Sequence, residues 1–102
     1  MSGLTGKWNI VVHTYMGDQF STHEYAVDGE KLIGEITDGG NGNKASVQNG
    51  KVNGNKFSFT FRIQIPIGDL EFEMNGELKE DGTVYGISKN AMGEFEFEGK
   101  RA

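Results

Sequence analysis

The ten residues KFSFTFRIQI, positions 56 to 65, constrain the fold of this chain more than any other stretch. Phe57, Phe59, Phe61, Ile63 and Ile65 fall on one face, and Ser58, Thr60, Arg62 and Gln64 on the other. A period of two with one apolar and one polar face is what an antiparallel strand requires when it is half buried and half wet. LEFEMNGEL follows the same rule, with Leu70, Phe72, Met74 and Leu78 inward and Glu71, Glu73 and Glu77 outward. EFEFEG sets Phe95 and Phe97 between Glu94, Glu96 and Glu98. No segment holds a 3.6-residue period over a helical length, so almost no helix is predicted.

Turn chemistry separates these runs: Gly17-Asp18, Asp28-Gly29, DGGNGN at 38–43, Asn49-Gly50, Asn53-Gly54, PIGD at 66–69, Asp81-Gly82 and NAMG at 90–93. Asn-Gly and Asp-Gly supply the positive φ of tight hairpins. The spacing predicts strands near 6–15, 20–27, 31–37, 44–49, 56–65, 69–79, 83–88 and 94–100. Residues 50 to 53 read either as a short strand piece or as part of one long loop. Strands joined this closely pair with their sequence neighbours. The expected fold is all-β, an antiparallel up-and-down meander of about eight strands closed into a small barrel without free edges. Gly34 and Gly86 stand where a barrel wall bends sharply.

A chain of 102 residues is a single domain, 1–102. It buries only about two-thirds of its unfolded surface, so a large ligand cavity would compete with its own core. With no cysteine there is neither a disulfide framework nor a thiolate metal site, which suits a reducing, cytoplasmic setting. The opening MSGLTGKW lacks a signal-peptide layout, and no run approaches the roughly 18 apolar residues of a membrane span. A net charge of −5 argues against nucleic acid as a partner.

The first strand opens Gly6-Lys7-Trp8 and the chain closes EFEGKRA. In this it resembles small lipocalin-like (calycin-type) barrels. That resemblance implies that Trp8 plugs one end of the barrel, with Arg101 or Lys100 packed across its ring, a cation–π contact worth about 0.5–2 kcal/mol. Gly6 would let the backbone pass close beneath the ring. The chain is shorter than a usual lipocalin and lacks the family's mid-chain motifs and disulfides.

Candidate chemistry gathers in the first hairpin. With Trp8 inward, Ile10, Val12, Thr14 and Met16 follow it, while Val11, His13 and Tyr15 face out. A two-residue Gly17-Asp18 turn would pair Met16 with Gln19, Val12 with His23 and Ile10 with Tyr25, leaving His13 outside beside Thr22. His23 and Tyr25 would then share the inner face with Thr14 as a polar cluster at the barrel mouth. A loop one residue longer flips the second strand and sets His13 against His23 on the outside. The plainer alternative is a strand histidine with no role. Two histidines across a turn, with Asp18 and Glu24 nearby, lack a third convincing metal ligand.

Other motifs read as structure. The glutamates lie on the wet face, with Arg62 near Glu71 or Glu73 as a cross-strand pair. DGGNGNKAS is neither a Walker loop, which needs Gly-Lys-Ser/Thr before a helix, nor an EF-hand loop. Ser46 and Ser88 read as ordinary strand residues. Three functions follow in order: a barrel binding a small hydrophobic or aromatic ligand, with Thr14, Tyr15, His23, Tyr25, Arg62 and Tyr85 as polar contacts; a filled barrel serving as an accessory subunit; and a small lyase or isomerase using His23 and Tyr25. In the second, Val11, Tyr15, Ile33, Tyr85 and Ile87 pack on a twin subunit or a larger enzyme. No cofactor is expected.

Overall fold

Alternation along the chain produces nine antiparallel strands: β1 (Gly6–Thr14), β2 (Gly17–Asp28), β3 (Lys31–Asp38), β4 (Lys44–Ser46), β5 (Gln48–Asn53), β6 (Lys56–Ile65), β7 (Gly68–Leu78), β8 (Val84–Asn90) and β9 (Gly93–Arg101). The computed structural model describes residues 3–15, 17–40, 42–65 and 68–102, with residues 64 and 65 described by their backbone alone. No helix occurs among them, and so none long and apolar enough to cross a membrane. The expected inward Met16, the side chains of Gln64 and Ile65, and Pro66-Ile67 of the PIGD turn lie outside the described residues.

Each strand pairs with its sequence neighbour, and β9 returns to β1 from Trp8↔Arg101 to His13↔Glu96. β4 and β5 both pair with β3 and act in series as one stave, so the closed barrel has eight staves. It measures 40 × 23 × 22 Å. An eight-strand barrel is just wide enough for side chains to fill its interior, and Trp8, Ile10, Tyr25, Leu32, Ile36, Phe57, Phe59, Phe61, Met74, Val84 and Phe97 do so. Phe72 is partly buried against this core. Phe95 is only half-buried, its ring tilted against Tyr15 at 5.8 Å.

Two expectations are corrected. Asn49-Gly50 is not a hairpin turn but a bulge inside β5, where the pairing with β6 slips between Gln48 and Lys51. Asn49 takes φ 54° there, a left-handed conformation that asparagine tolerates. A Cβ on Gly50 would stand 2.0 Å from the Leu32 carbonyl oxygen, so only glycine lets the stave run this close to β3.

The second correction concerns the first hairpin. Thr14 pairs with Gly17, so Gly17-Asp18 opens the return strand instead of forming the turn. Trp8 therefore faces His23 and Val12 faces Gln19, four positions from the expected register. Four is even, so the inward set is unchanged. His23 and Tyr25 point inward as expected, and His13 lies outside beside Asp18 instead of Thr22.

The chain termini meet at one end of the barrel, with the β2–β3, β5–β6 and β7–β8 connections; this is the terminal end. Trp8 fills it and is fully buried. Its indole Nε1–H donates to the Leu4 carbonyl at 2.8 Å, and the Arg101 guanidinium lies 4.5 Å from its ring centre. Arg101, not Lys100, takes the place that the resemblance implied. It also donates to the carbonyls of Thr5 (2.8 Å) and Gly3, tying the N-terminal segment down. Gly6 serves the guanidinium more than the ring: a Cβ there would fall 2.7 Å from an Arg101 nitrogen.

Candidate functional site

Four connections lie at the opposite, hairpin end: β1–β2, β3–β4, β6–β7 and β8–β9. Three of them are built alike. Met16-Gly17-Asp18, Ile67-Gly68-Asp69 and Met92-Gly93-Glu94 repeat an apolar–Gly–acidic triplet. In each, the glycine is the first residue of the returning strand, paired with the last residue of the outgoing one. Their φ angles are 108°, 134° and 133°, a region that side chains disfavour, so the glycines fix this rim geometry. The recurrence is legible in the sequence, yet scanning for turn dipeptides alone passes over it.

Below this rim is an interior cavity of about 100 Å³. Val12, Ile36, Phe61, Ile63, Phe72 and Met74 make its walls, and Gln19, Ser21, His23, Asp38 and Ser88 bring polar atoms to it. Alternation explains the convergence: Ser21, His23 and Tyr25 are spaced by two along β2 and therefore share its inner face.

These three form a linear relay. Tyr25 Oη lies 2.6 Å from His23 Nδ1, and His23 Nε2 lies 2.9 Å from Ser21 Oγ. Among the described residues the Tyr25 hydroxyl has no second partner, so its proton must go to Nδ1. The neutral imidazole then carries its own proton on Nε2 and donates it to Ser21. Phe59 and Phe61 pack edge-on against the imidazole at 6.0 and 6.4 Å between ring centres. That burial strips water from His23 and pulls its pKa down to about 3, so the ring is uncharged at neutral pH. The same burial pushes the Tyr25 phenol well above its ordinary value.

Ser88 is the exception to this satisfied network. It is fully buried on the inner face of β8, and its Oγ is the only buried side-chain polar atom among the described residues without a hydrogen-bond partner. An unmet buried hydroxyl costs about 1–3 kcal/mol. The sequence reading of Ser88 as an ordinary strand residue missed this. Ser21 was missed as well, although the Ser-x-His-x-Tyr spacing announces it.

The other expected contacts lie elsewhere. Thr14 shares the inner face but sits at the hairpin tip, where its hydroxyl donates to the Gly17 carbonyl at 2.6 Å. Arg62 is on the outer wall, paired across strands with Glu71 at 3.1 Å as expected. Tyr85 is also outside, with the Lys79 ammonium 4.5 Å from its ring centre. Tyr15 is 70% exposed on the rim. The structure thus joins His23 and Tyr25 to Ser21, sets Ser21, His23 and Ser88 around one cavity, and leaves Thr14, Arg62 and Tyr85 apart from them.

His13 occupies the outer wall at this end. Its Nδ1 meets Asp18 at 2.9 Å and its Nε2 meets Glu98 at 3.2 Å. Hydrogen bonds to the Asp18 and then the Glu98 carboxylate raise its pKa. No three His, Asp or Glu side chains among the described residues gather closely enough to hold a metal ion. Larger depressions, of about 450, 490 and 270 Å³ beside Tyr85 and about 400 Å³ beside Glu71 and Lys89, are grooves on the outer wall. They bring together none of the inner-face polar groups, so the smaller cavity is the better candidate site. No protein-family model, curated protein or solved structure matches this chain.

Proposed function

We propose that this protein is a small, lipocalin-like binding barrel that takes a small hydrophobic or aromatic ligand through its hairpin end. One observation carries the reading. An apolar-walled cavity of about 100 Å³ is lined by a serine whose buried hydroxyl has no partner among the described residues. Apolar walls supply affinity by excluding water, and a few placed polar atoms supply orientation. An apolar cavity of about 150 Å³ accepts benzene, so the volume here limits the ligand to a molecule no larger than one small ring. Trp8 and Arg101 occlude the terminal end, so entry at the opposite end is the consistent route. The lack of cysteine fits a cytoplasmic, reducing setting.

A thermal-shift screen of neutral one-ring fragments tests this. At a concentration one hundred times Kd, binding adds about 2.7 kcal/mol, a rise in Tm of roughly ten degrees for a domain of this size. A library in which no compound raises Tm removes the reading.

A second reading, a homodimeric accessory subunit, is favoured by the outward apolar residues Phe20, Ile33, Tyr85 and Ile87, of which Phe20 is 65% exposed. Self-association would cover them. Sedimentation equilibrium at tens of micromolar decides it: a dimer supports this reading and a monomer ends it.

A further inference from the structure

Building on the ligand-binding reading above, we propose that the cavity selects a neutral ligand bearing a hydrogen-bond acceptor oxygen, a ketone, aldehyde or amide carbonyl, held by the hydroxyls of Ser21 and Ser88. The direction of the relay carries this. With the Tyr25 proton assigned to His23 Nδ1, because that hydroxyl has no other partner among the described residues, the Nε2 proton goes to Ser21, and Ser21 Oγ has its own proton left to give. No acceptor for it occurs among the described residues. Ser88 Oγ, fully buried, has neither donor nor acceptor among the described residues. Both serines line the same cavity, and each has a hydroxyl proton with no acceptor among the described residues, which a ligand oxygen with two lone pairs can take.

Charge narrows the class further. Asp38, the cross-strand neighbour of Ser21, also lines the cavity and takes the Gly40 N–H at 2.6 Å on its carboxylate. A second carboxylate brought beside it, in a chain of net charge −5, would be repelled. An uncharged carbonyl meets no such opposition. A hydrocarbon of the same shape would leave Ser88 unsatisfied, and sites with buried polar groups discriminate strongly against ligands that cannot pair with them.

Three probes of one shape provide the test: cyclopentanone, methylenecyclopentane, in which CH₂ replaces the oxygen, and cyclopentanecarboxylate. Each is titrated into the full-length protein and followed by ¹H–¹⁵N spectra at the Ser21, His23 and Ser88 amides. The expected result is tenfold or tighter binding of cyclopentanone over methylenecyclopentane, with no saturable shift from the carboxylate. In Ser88→Ala and Ser21→Ala that preference should shrink at least threefold each while the hydrocarbon binds as before. Ser88→Ala removes a hydroxyl that bonds to nothing among the described residues, so this variant will fold. Equal affinity for ketone and hydrocarbon overturns the acceptor assignment and leaves the ligand-binding reading standing. The same holds if the preference survives both substitutions or if the carboxylate binds best. Cyclopentanone that shifts none of the three amides, while the fragment screen yields binders, overturns it too.

Discussion

The two ends of this barrel solve the same problem in opposite ways. At the terminal end the plug is tied to the chain by hydrogen bonds. The Trp8 indole bonds to the Leu4 carbonyl, and the Arg101 guanidinium bonds to two more carbonyls while covering the ring. At the hairpin end, repeated glycine turns frame a cavity in which a serine hydroxyl goes unmet. Polar groups paired within the chain contribute to folding, whereas an unmet one leaves chemistry available to a molecule from outside.

The sharpest way to break this contrast is to remove the plug. Trp8→Ala deletes the largest fully buried side chain and should cost about 3–5 kcal/mol by denaturant titration. A cost below about 1 kcal/mol would mean that the terminal end is not the stability centre.

The next effect is electrostatic and belongs to the inner relay. His23 has a folded pKa of about 3 against an ordinary 6.5, so below pH 6.5 the unfolded chain binds a proton that the native state refuses. The stability associated with a neutral His23 is thus complete above pH 6.5 and declines as pH falls toward 3. The slope approaches about 1.4 kcal/mol per pH unit in mid-window. His23→Gln should flatten that slope, and identical pH–stability curves for the two proteins would contradict a buried neutral imidazole.

The smallest effect lies on the outer wall, where His13 shows the opposite sign. Its raised pKa means that its contribution is present below pH 6.5 and is lost as pH rises through the elevated value. Asp18→Asn removes the larger cause and should bring the His13 titration, followed by NMR, back toward the ordinary histidine range. No movement would show that the 2.9 Å contact is not maintained in solution.

Much of this architecture is written in residue alternation. The Phe57–Phe61 face, the Leu70–Met74 face and the inward His23 and Tyr25 follow from a period of two, which survives an even error in register. The register itself was not legible, because Gly17-Asp18 carries the strongest turn signal of this stretch and yet belongs to the return strand. The bulge at Asn49 hid for the same reason, a turn-like pair used within a strand. Ser21 follows from the spacing on β2, but the lack of a partner at Ser88 does not. It depends on which side chains of β7 and β9 stand beside β8, and only three-dimensional packing decides that.

The closure of β9 onto β1 also has a kinetic consequence. Seven seams of the barrel join sequence neighbours across links of at most five residues, while the eighth joins Trp8 to Arg101 across nearly the whole chain. Loop entropy makes that seam the slowest to zip, and its rupture alone would turn a closed cylinder into an open sheet with two bare edges. Trp8, the sole tryptophan, stands on the seam, so its fluorescence in a stopped-flow trace times ring closure while far-ultraviolet dichroism times the hairpins.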